Sequence, residues 1–367
     1  MTQPTPADQG QSGGFLAEIK DAVTTRAALL VLGVLALQLA FITSYVGAFH
    51  HPKPSEIPIA VAAPAAPIAE QTAKQLSALP GKPLDPRAVQ DEATALRQIH
   101  NRDVDGALIV DPAGTTDKLL VASGGGASLS QAVEQIVGAV EKTQGRTVRV
   151  VDVAPTAAGD ARGLSSFYLV VGWCVGGYLC AAILAISAGA RPANVHRAVI
   201  RLGALLVYSI AAGLLGAVIA DPVLGALPGS IWALWGLGTL VVFAVGAITL
   251  AFQGLAGVVG IGLAILLVVV LGNPSAGGAY PYPLLPPFWK AIGPWLPPGA
   301  GTYAARSIAY FKGNDITGSL LVLSGWAVLG SAVTMACAAG RRGKAGAAVG
   351  SGLPEGPDAL PEREAVR

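Results

Sequence analysis

The sequence predicts a polytopic α-helical membrane protein of six spans, with a small extracytoplasmic α/β domain between spans one and two. Three observations predict it. Of 367 residues, 53% are hydrophobic and 13% charged, against roughly a quarter charged in a soluble domain; mean hydropathy is +0.58. The charges are also segregated. Residues 222–289 hold no Asp, Glu, Lys, Arg or His over 68 positions, whereas 50–163 hold 13 acidic and 11 basic residues. Finally, three basic clusters fall on one side of a six-span chain: Lys20 with Arg26, Arg191 with Arg197 and Arg201, and Arg341 with Arg342 and Lys344. A net charge of +2 and the lack of a basic stripe argue against a nucleic-acid partner.

A span needs about 20 apolar residues to cross about 30 Å of hydrocarbon. The charge-poor runs give spans at about 27–49, 167–189, 202–220, 231–251, 255–272 and 318–340, the long run dividing at Gln253 and Gly254. Lys and Arg mark the cytoplasmic side. The expected order is therefore a cytoplasmic tail at 1–26, an anchor at 27–49, an outer domain at 50–164, a five-span membrane domain at 165–340 with a Pro-rich outer loop at 273–315, and a cytoplasmic tail at 341–367. This is a multi-pass plasma-membrane protein with both termini inside. Residues Val46 and Ala48 offer a small-residue cleavage pattern. The apolar run of span one nonetheless exceeds the about 7–15 residues of a signal peptide, so it reads as an uncleaved anchor.

Within the outer domain, residues 50–67 read as an extended exit from the membrane with a strand at Ile57 to Val61. Asp85 before Pro86 predicts a capped helix start, with Val89, Ala93, Leu96 and Ile99 on its apolar face. Strands follow at Ala107 to Val110 and Lys118 to Ala122. Ser128 and Gln131 have capping-box spacing ahead of an amphipathic helix carrying Leu129, Ala132, Val133, Ile136, Val137 and Val140. Arg146 to Val153 is the last strand. About 110 residues of alternating elements suffice for a separate core.

Catalytic patterns are sparse. Ser123-Gly124-Gly125-Gly126 lacks the lysine and hydroxyl of a phosphate-binding loop and reads as a turn. His50 and His51 have no acidic or cysteine neighbour to complete a metal site, and Cys174, Cys180 and Cys337 sit as small packing residues in apolar runs. Asp221 and Asp315, the acids of the membrane half, fall at span ends rather than at a relay position. No enzyme, metal or cofactor is expected. Gly172 and Gly176 have the spacing that lets helices approach closely in lipid. The loop 273–298 has eight prolines in 26 residues and is otherwise largely apolar. Proline removes a backbone donor, so this segment is either a rigid cap on the outer leaflet or a re-entrant element buried in protein. Tyr280, Trp289 and Trp295 suit an interfacial belt. Arg306 is expected to pair with an acid such as Asp315, to hold a lipid phosphate, or to snorkel.

The order of parts resembles the phage-infection-protein (YhgE/Pip) family of the type-2 ABC-exporter permease superfamily. The likeness is carried by Ile57-Pro58-Ile59-Ala60-Val61, by Asp160-Ala161-Arg162-Gly163 running into Phe167-Tyr168, and by Asn273-Pro274-Ser275 with Gly277, Gly278, Tyr280, Pro281, Leu285, Pro286, Pro297, Tyr303 and Arg306. The outer domain is far shorter than in family members with coiled-coil insertions. The resemblance implies a permease half that moves a hydrophobic or envelope substrate. It would use a separate ATP-binding subunit, met at Arg191, His196, Arg197 and Arg201, and a second permease copy; the spacing of Gly172 and Gly176 then puts their face in a helix contact of a homodimer or pseudosymmetric complex. A non-transporting scaffold or receptor is the alternative.

Overall fold

In the computed structural model, which describes residues 24–350 apart from 190 and leaves aside the side chains of 26 and 341–350, the chain is mostly helical around one small sheet. The expected tails at 1–26 and 341–367, with Lys20, Arg26, Arg341, Arg342 and Lys344, lie outside what is described, save for the helical backbone next to each.

Five helices are long and apolar enough to cross a membrane. They are α1 (Thr25–Phe49), α5 (Ser165–Ala188), α6 (Val195–Val218, prolonged by a wide turn Ile219–Val223), α7 (Ile231–Ala256) and α11 (Thr317–Gly350). Between them stand α8 (Val259–Ile265), which runs through wide turns at Leu266–Gly272 into a last turn Asn273–Ser275, then α9 (Pro287–Ile292) and α10 (Pro297–Tyr310). The fifth expected span thus corresponds to the shorter apolar helix Val259–Ser275. α11 continues as helix through the ten residues after Gly340.

The outer domain is built from β1 (Ile57–Ala62), α2 (Ala66–Ser77), β2 (Leu84–Val89), α3 (Glu92–Asn101), β3 (Gly106–Ile109), β4 (Thr116–Val121), α4 (Ala127–Thr143) and β5 (Thr147–Asp152). The sheet order is β2-β1-β3-β4-β5. All neighbours are parallel except β3 with β4. Parallel neighbours need crossover helices, which α2, α3 and α4 supply. β1 is buried on both faces, which is why its sequence is a continuous apolar run. Ile57, Ile59 and Val61 face α2 and α4, while Ala60 faces Ala95 and Ile99 of α3.

Two expected helix starts are corrected. Asp85-Pro86 lies in β2, with Pro86 opposite Ile59 in a parallel ladder. β2 ends the sheet order, and an edge strand tolerates a residue without an N–H. The cap is instead Asp91, whose Oδ1 accepts from the Thr94 amide at 2.7 Å. Val89 therefore ends a strand and Ala93 is exposed; Ala95 and Ile99 carry the buried face. Likewise Ser128 does not cap α4, whose cap position is Gly126, with no side-chain bond; the Ser128 hydroxyl donates to the Ala279 carbonyl at 2.9 Å. Helix α2 begins at Ala66, inside the 50–67 segment expected to be extended, and runs on to Ser77.

In the bundle, α7 packs against α5, α6, α8, α10 and α11. Val241, Val242 and Val245 of α7 meet Val170, Trp173 and Cys174 of α5 and Ala300, Ala304 and Ala305 of α10. The close approach of α5 to α7 occurs at Gly177, where an added Cβ would lie 2.6 Å from the Val242 carbonyl oxygen. The expectation for Gly172 and Gly176 changes accordingly within the chain. Gly176 meets the Tyr208 hydroxyl of α6, and an added Cβ at the exposed Gly172 would meet nothing within 4 Å.

Candidate functional site

The Pro-rich segment divides into two parts. Its rim is exposed: α9 has no buried residue, and Phe288 and Trp295 are 58% and 69% exposed. Its second half, α10, is buried at eleven of its fourteen positions. Fourteen residues reach only about 21 Å, so α10 is a plug rather than a span. Pro297 and Pro298 suit its first turn, where the amide would have no partner anyway. The plug thus satisfies the condition for non-spanning backbone beside lipid, burial within protein.

Arg306 holds this plug, and neither an acid nor lipid holds Arg306. Its side chain is 3% exposed. Nη1 donates to the Gly277 carbonyl at 2.6 Å, and Nη2 donates to those of Gly278 at 2.7 Å and Gly163 at 3.2 Å. One planar guanidinium therefore ties α10 to the outer loop and to the chain's return into the bundle; the fork geometry suits it to several acceptors at once. Asp315, its expected partner, instead accepts from the Tyr303 hydroxyl at 2.5 Å. Gly277 sits at φ +71°, where other side chains are strained. A Cβ at Gly278 would collide with the Phe167 ring.

A second arginine reaches the plug from the outer domain. Arg102 closes α3 in a left-handed conformation, φ 67°. Its Nη1 donates to the Tyr303 carbonyl at 3.0 Å and the Ser307 hydroxyl at 2.5 Å. Its guanidinium carbon stands 3.6 Å from the Tyr303 ring centroid, a cation–π contact. Burial pushes the nearby Asp105 carboxyl up to about 6, and the Arg102 charge pulls it the other way. Both arginines, Asp105, Tyr282 and Tyr303 line a cavity of about 190 Å³ at the junction. Tyr282 Oη and Arg306 Nε are buried without a protein partner among the described residues; water in a polar cavity of this size would satisfy them.

Asp160 completes the junction. Oδ2 accepts from the Tyr310 hydroxyl at 2.6 Å, and Oδ1 accepts from the Ser165 amide at 2.8 Å, where α5 begins. Leu284 is part of the outer domain's core, and the half-buried Tyr280 packs against it. Pro281 packs over Gly126, and Pro286 precedes α9. The Ser123–Gly126 turn has its three glycine amides committed to the carbonyls of Ala154, Ala122 and Ser123, which leaves none for a phosphate.

At the other end of the bundle, His196 and Arg197 are exposed. Arg201 is corrected: it is 5% exposed, and its Nη2 donates to the carbonyls of Ala188 and Gly189, both at 2.7 Å. It closes the C-terminus of α5 and is not a contact surface. Arg191 donates to the Leu255 carbonyl at 3.0 Å. The sequence marks Gly277, Gly278, Tyr303 and Arg306, which the fold brings together. It gives no sign of Arg102, one charge among many in the outer domain. Among the described residues, no group of three or more His, Cys, Asp or Glu is placed to hold a metal.

The fold and junction define a helical membrane protein with a docked α/β domain. Comparison with family models, with characterised proteins and with solved structures gives no match for this chain.

Proposed function

We propose that this chain is a permease-like subunit of a type-2 ABC exporter of the YhgE/Pip kind, moving a hydrophobic or envelope substrate with ATP hydrolysis supplied by a separate subunit. The observation that carries the reading is the plug α10, buried in the outer end of the bundle and pinned by Arg306 and Arg102. A movement of α7 or α5 reaches the outer domain through α10, as export requires. The reading has six spans, with Val259–Ser275 as the fifth, near the short limit of about 17 residues. It places both termini and the loop carrying Arg191, His196 and Arg197 in the cytoplasm, at the plasma membrane. The ATP-binding subunit docks on that loop through His196 and Arg197.

A second reading, a non-transporting scaffold or receptor, draws on the packed centre of α7. There Ala244, Val245, Gly246, Ala247, Ile248, Thr249, Leu250 and Ala251 are all buried. In the export reading the path therefore runs between two copies rather than through one, and the working unit is a homodimer with its ATPase. The test is purification of the tagged chain from its own membranes, followed by ATP-dependent uptake into inverted vesicles. Co-purification of a P-loop ATPase, lost in an Arg197→Glu variant, supports export. An ATPase-free chain with no ATP-dependent flux leaves the scaffold. Labelling from outside intact cells of a cysteine near Gly350, rather than one at Ala113, would overturn the topology.

A further inference from the structure

Among the described residues, the buried positions of helix α1 lie at its end nearest the outer domain. Ser44 and Ala48 are buried, the Ser44 hydroxyl donates to the Val270 carbonyl, and Phe49 lies 5.8 Å from Tyr280 ring to ring. Towards its start α1 diverges from α8. The gap is a groove of about 540 Å³ lined by Leu29, Gly33, Leu37 and Ala40 on one wall and by Gly262 and Leu266 on the other, every lining residue being apolar. From residue 29 to residue 40 it runs about 17 Å, the depth of one leaflet of an about 30 Å core.

Two features make the groove specific rather than a loose seam. Gly33 and Gly262 both line it, and a Cβ on either would meet nothing within 4 Å. The groove is thus open because side chains are missing from its walls. A second cavity continues it past Leu29, Leu30, Val258 and Val259 to Arg191 and Gly257. Arg191 is exposed and spends one of its five N–H groups on Leu255. An apolar slot one leaflet deep that ends at a guanidinium has the shape and charge of a phospholipid, with an acyl chain in the slot and its phosphate on the fork.

We propose that the α1–α8 groove is a binding site for one anionic phospholipid, its acyl chain between Gly33 and Gly262 and its head group at Arg191. The site is independent of whether the chain exports anything, and in the orientation proposed above it opens to the cytoplasmic leaflet. A phospholipid held here joins α1 to α8 along the open part of their seam.

The test is native mass spectrometry of the full chain in mild detergent, titrated with phosphatidylglycerol and, separately, phosphatidylcholine. One phosphatidylglycerol is expected to bind the wild type about fivefold more tightly than phosphatidylcholine, the order expected of one arginine beside an anionic head group. Gly33→Leu with Gly262→Leu fills the slot without touching backbone; it is expected to abolish the tight site for both lipids at unchanged melting temperature. Arg191→Gln is expected to keep one bound lipid and lose the preference. Equal retention of lipid by the wild type and the double glycine variant overturns the proposal. So does an intermolecular disulfide at Ala36→Cys with no lipid bound, which would put a second copy in the groove. If the double variant does not fold, an unchanged head-group preference in Arg191→Gln overturns it alone.

Discussion

Helices α1 and α7 have almost the same mean hydropathy over their most apolar stretches, 2.2 and 2.1, yet 6% of that stretch is buried within the chain in α1 and 56% in α7. Hydropathy therefore identifies the solvent a helix can live in and says nothing of its neighbours, because lipid is as apolar as leucine. What separates the two is backbone proximity. Around α7, an added Cβ at Gly213 would lie 2.9 Å from the Trp235 carbonyl oxygen and one at Gly330 2.9 Å from that of Ala247. On α1, Gly33 and Gly47 meet nothing within 4 Å. Glycines on α1 are spaces, and glycines at the α7 contacts are joints.

The sharpest way to break this comparison is to enlarge one glycine of each kind. Gly177→Leu drives a side chain into the α7 backbone near Val242 and Gly246, and should cost about 3 kcal/mol or more, the upper range for overpacking. Gly33→Leu should move stability by no more than about 0.5 kcal/mol. Thermal melts in one detergent compare them; equal losses would mean that α1 is packed after all.

Helix α10 shares the burial of α7 and is held by polar bonds as well as by shape, so its variants separate those two contributions. Arg306→Ala orphans three carbonyls and should destabilise by about 3 kcal/mol. Arg306→Lys should lose most of the same amount, since one ammonium cannot span three acceptors fixed by a planar fork. The measurement is melting temperature together with protease resistance of the junction at equal expression. A lysine variant matching the wild type would show that charge alone suffices there.

A pH-dependent effect lies away from both helices, at Asp117, Glu141 and Arg146. Arg146 Nε stands 2.9 Å from Asp117 Oδ2 and 3.3 Å from Glu141 Oε2. Burial and the neighbouring Asp117 push Glu141 up to about 7, while hydrogen bonds from Arg146 and the Asp111 amide hold Asp117 below its usual value against the cost of its burial. A raised carboxyl stabilises fully below its unfolded value and loses that contribution as pH rises through its folded one. For Glu141 the window is 4.5 to about 7. Asp117 acts oppositely, losing its contribution as pH falls below 3.8. Glu141→Gln should therefore remove the part of the decline in melting temperature nearest pH 7. It should keep the part from Asp105, which lies lower, about 6. An unchanged profile would assign the slope elsewhere.

Five long apolar helices were legible because a charge-free run has few ways to fold beside lipid, and α4 was legible because its apolar positions repeat at helical spacing. The pairing of β1 with β2 was not, since Asp85-Pro86 is as good an opening for a helix as it is a tolerable pair on an edge strand. α2 carries Ala69, Ala73 and Leu76 at helical spacing, but the prolines around residue 64 hide its start. Gly172 and Gly177 differ only in which face they occupy, and spacing within one helix cannot say which face its neighbour takes. Arg306 was marked as a residue, yet its partners are backbone carbonyls, which every residue has and no sequence pattern advertises.

The docking of the outer domain onto α10 has a consequence for how the molecule is joined. The domain enters the chain through α1 and leaves it at Asp160, but its attachments to α10 and the turn after it are Arg102 on Tyr303 and Ser307, Asn314 on the His100 carbonyl at 2.9 Å, and Asp160 on Tyr310. None of these involves α1. The order of covalent connection and the order of attachment therefore differ: α1 leads into the outer domain along the chain but takes no part in these bonds. A single cut in the stretch from His51 to Ser55 would free α1 at one end while the outer domain stayed seated on the bundle.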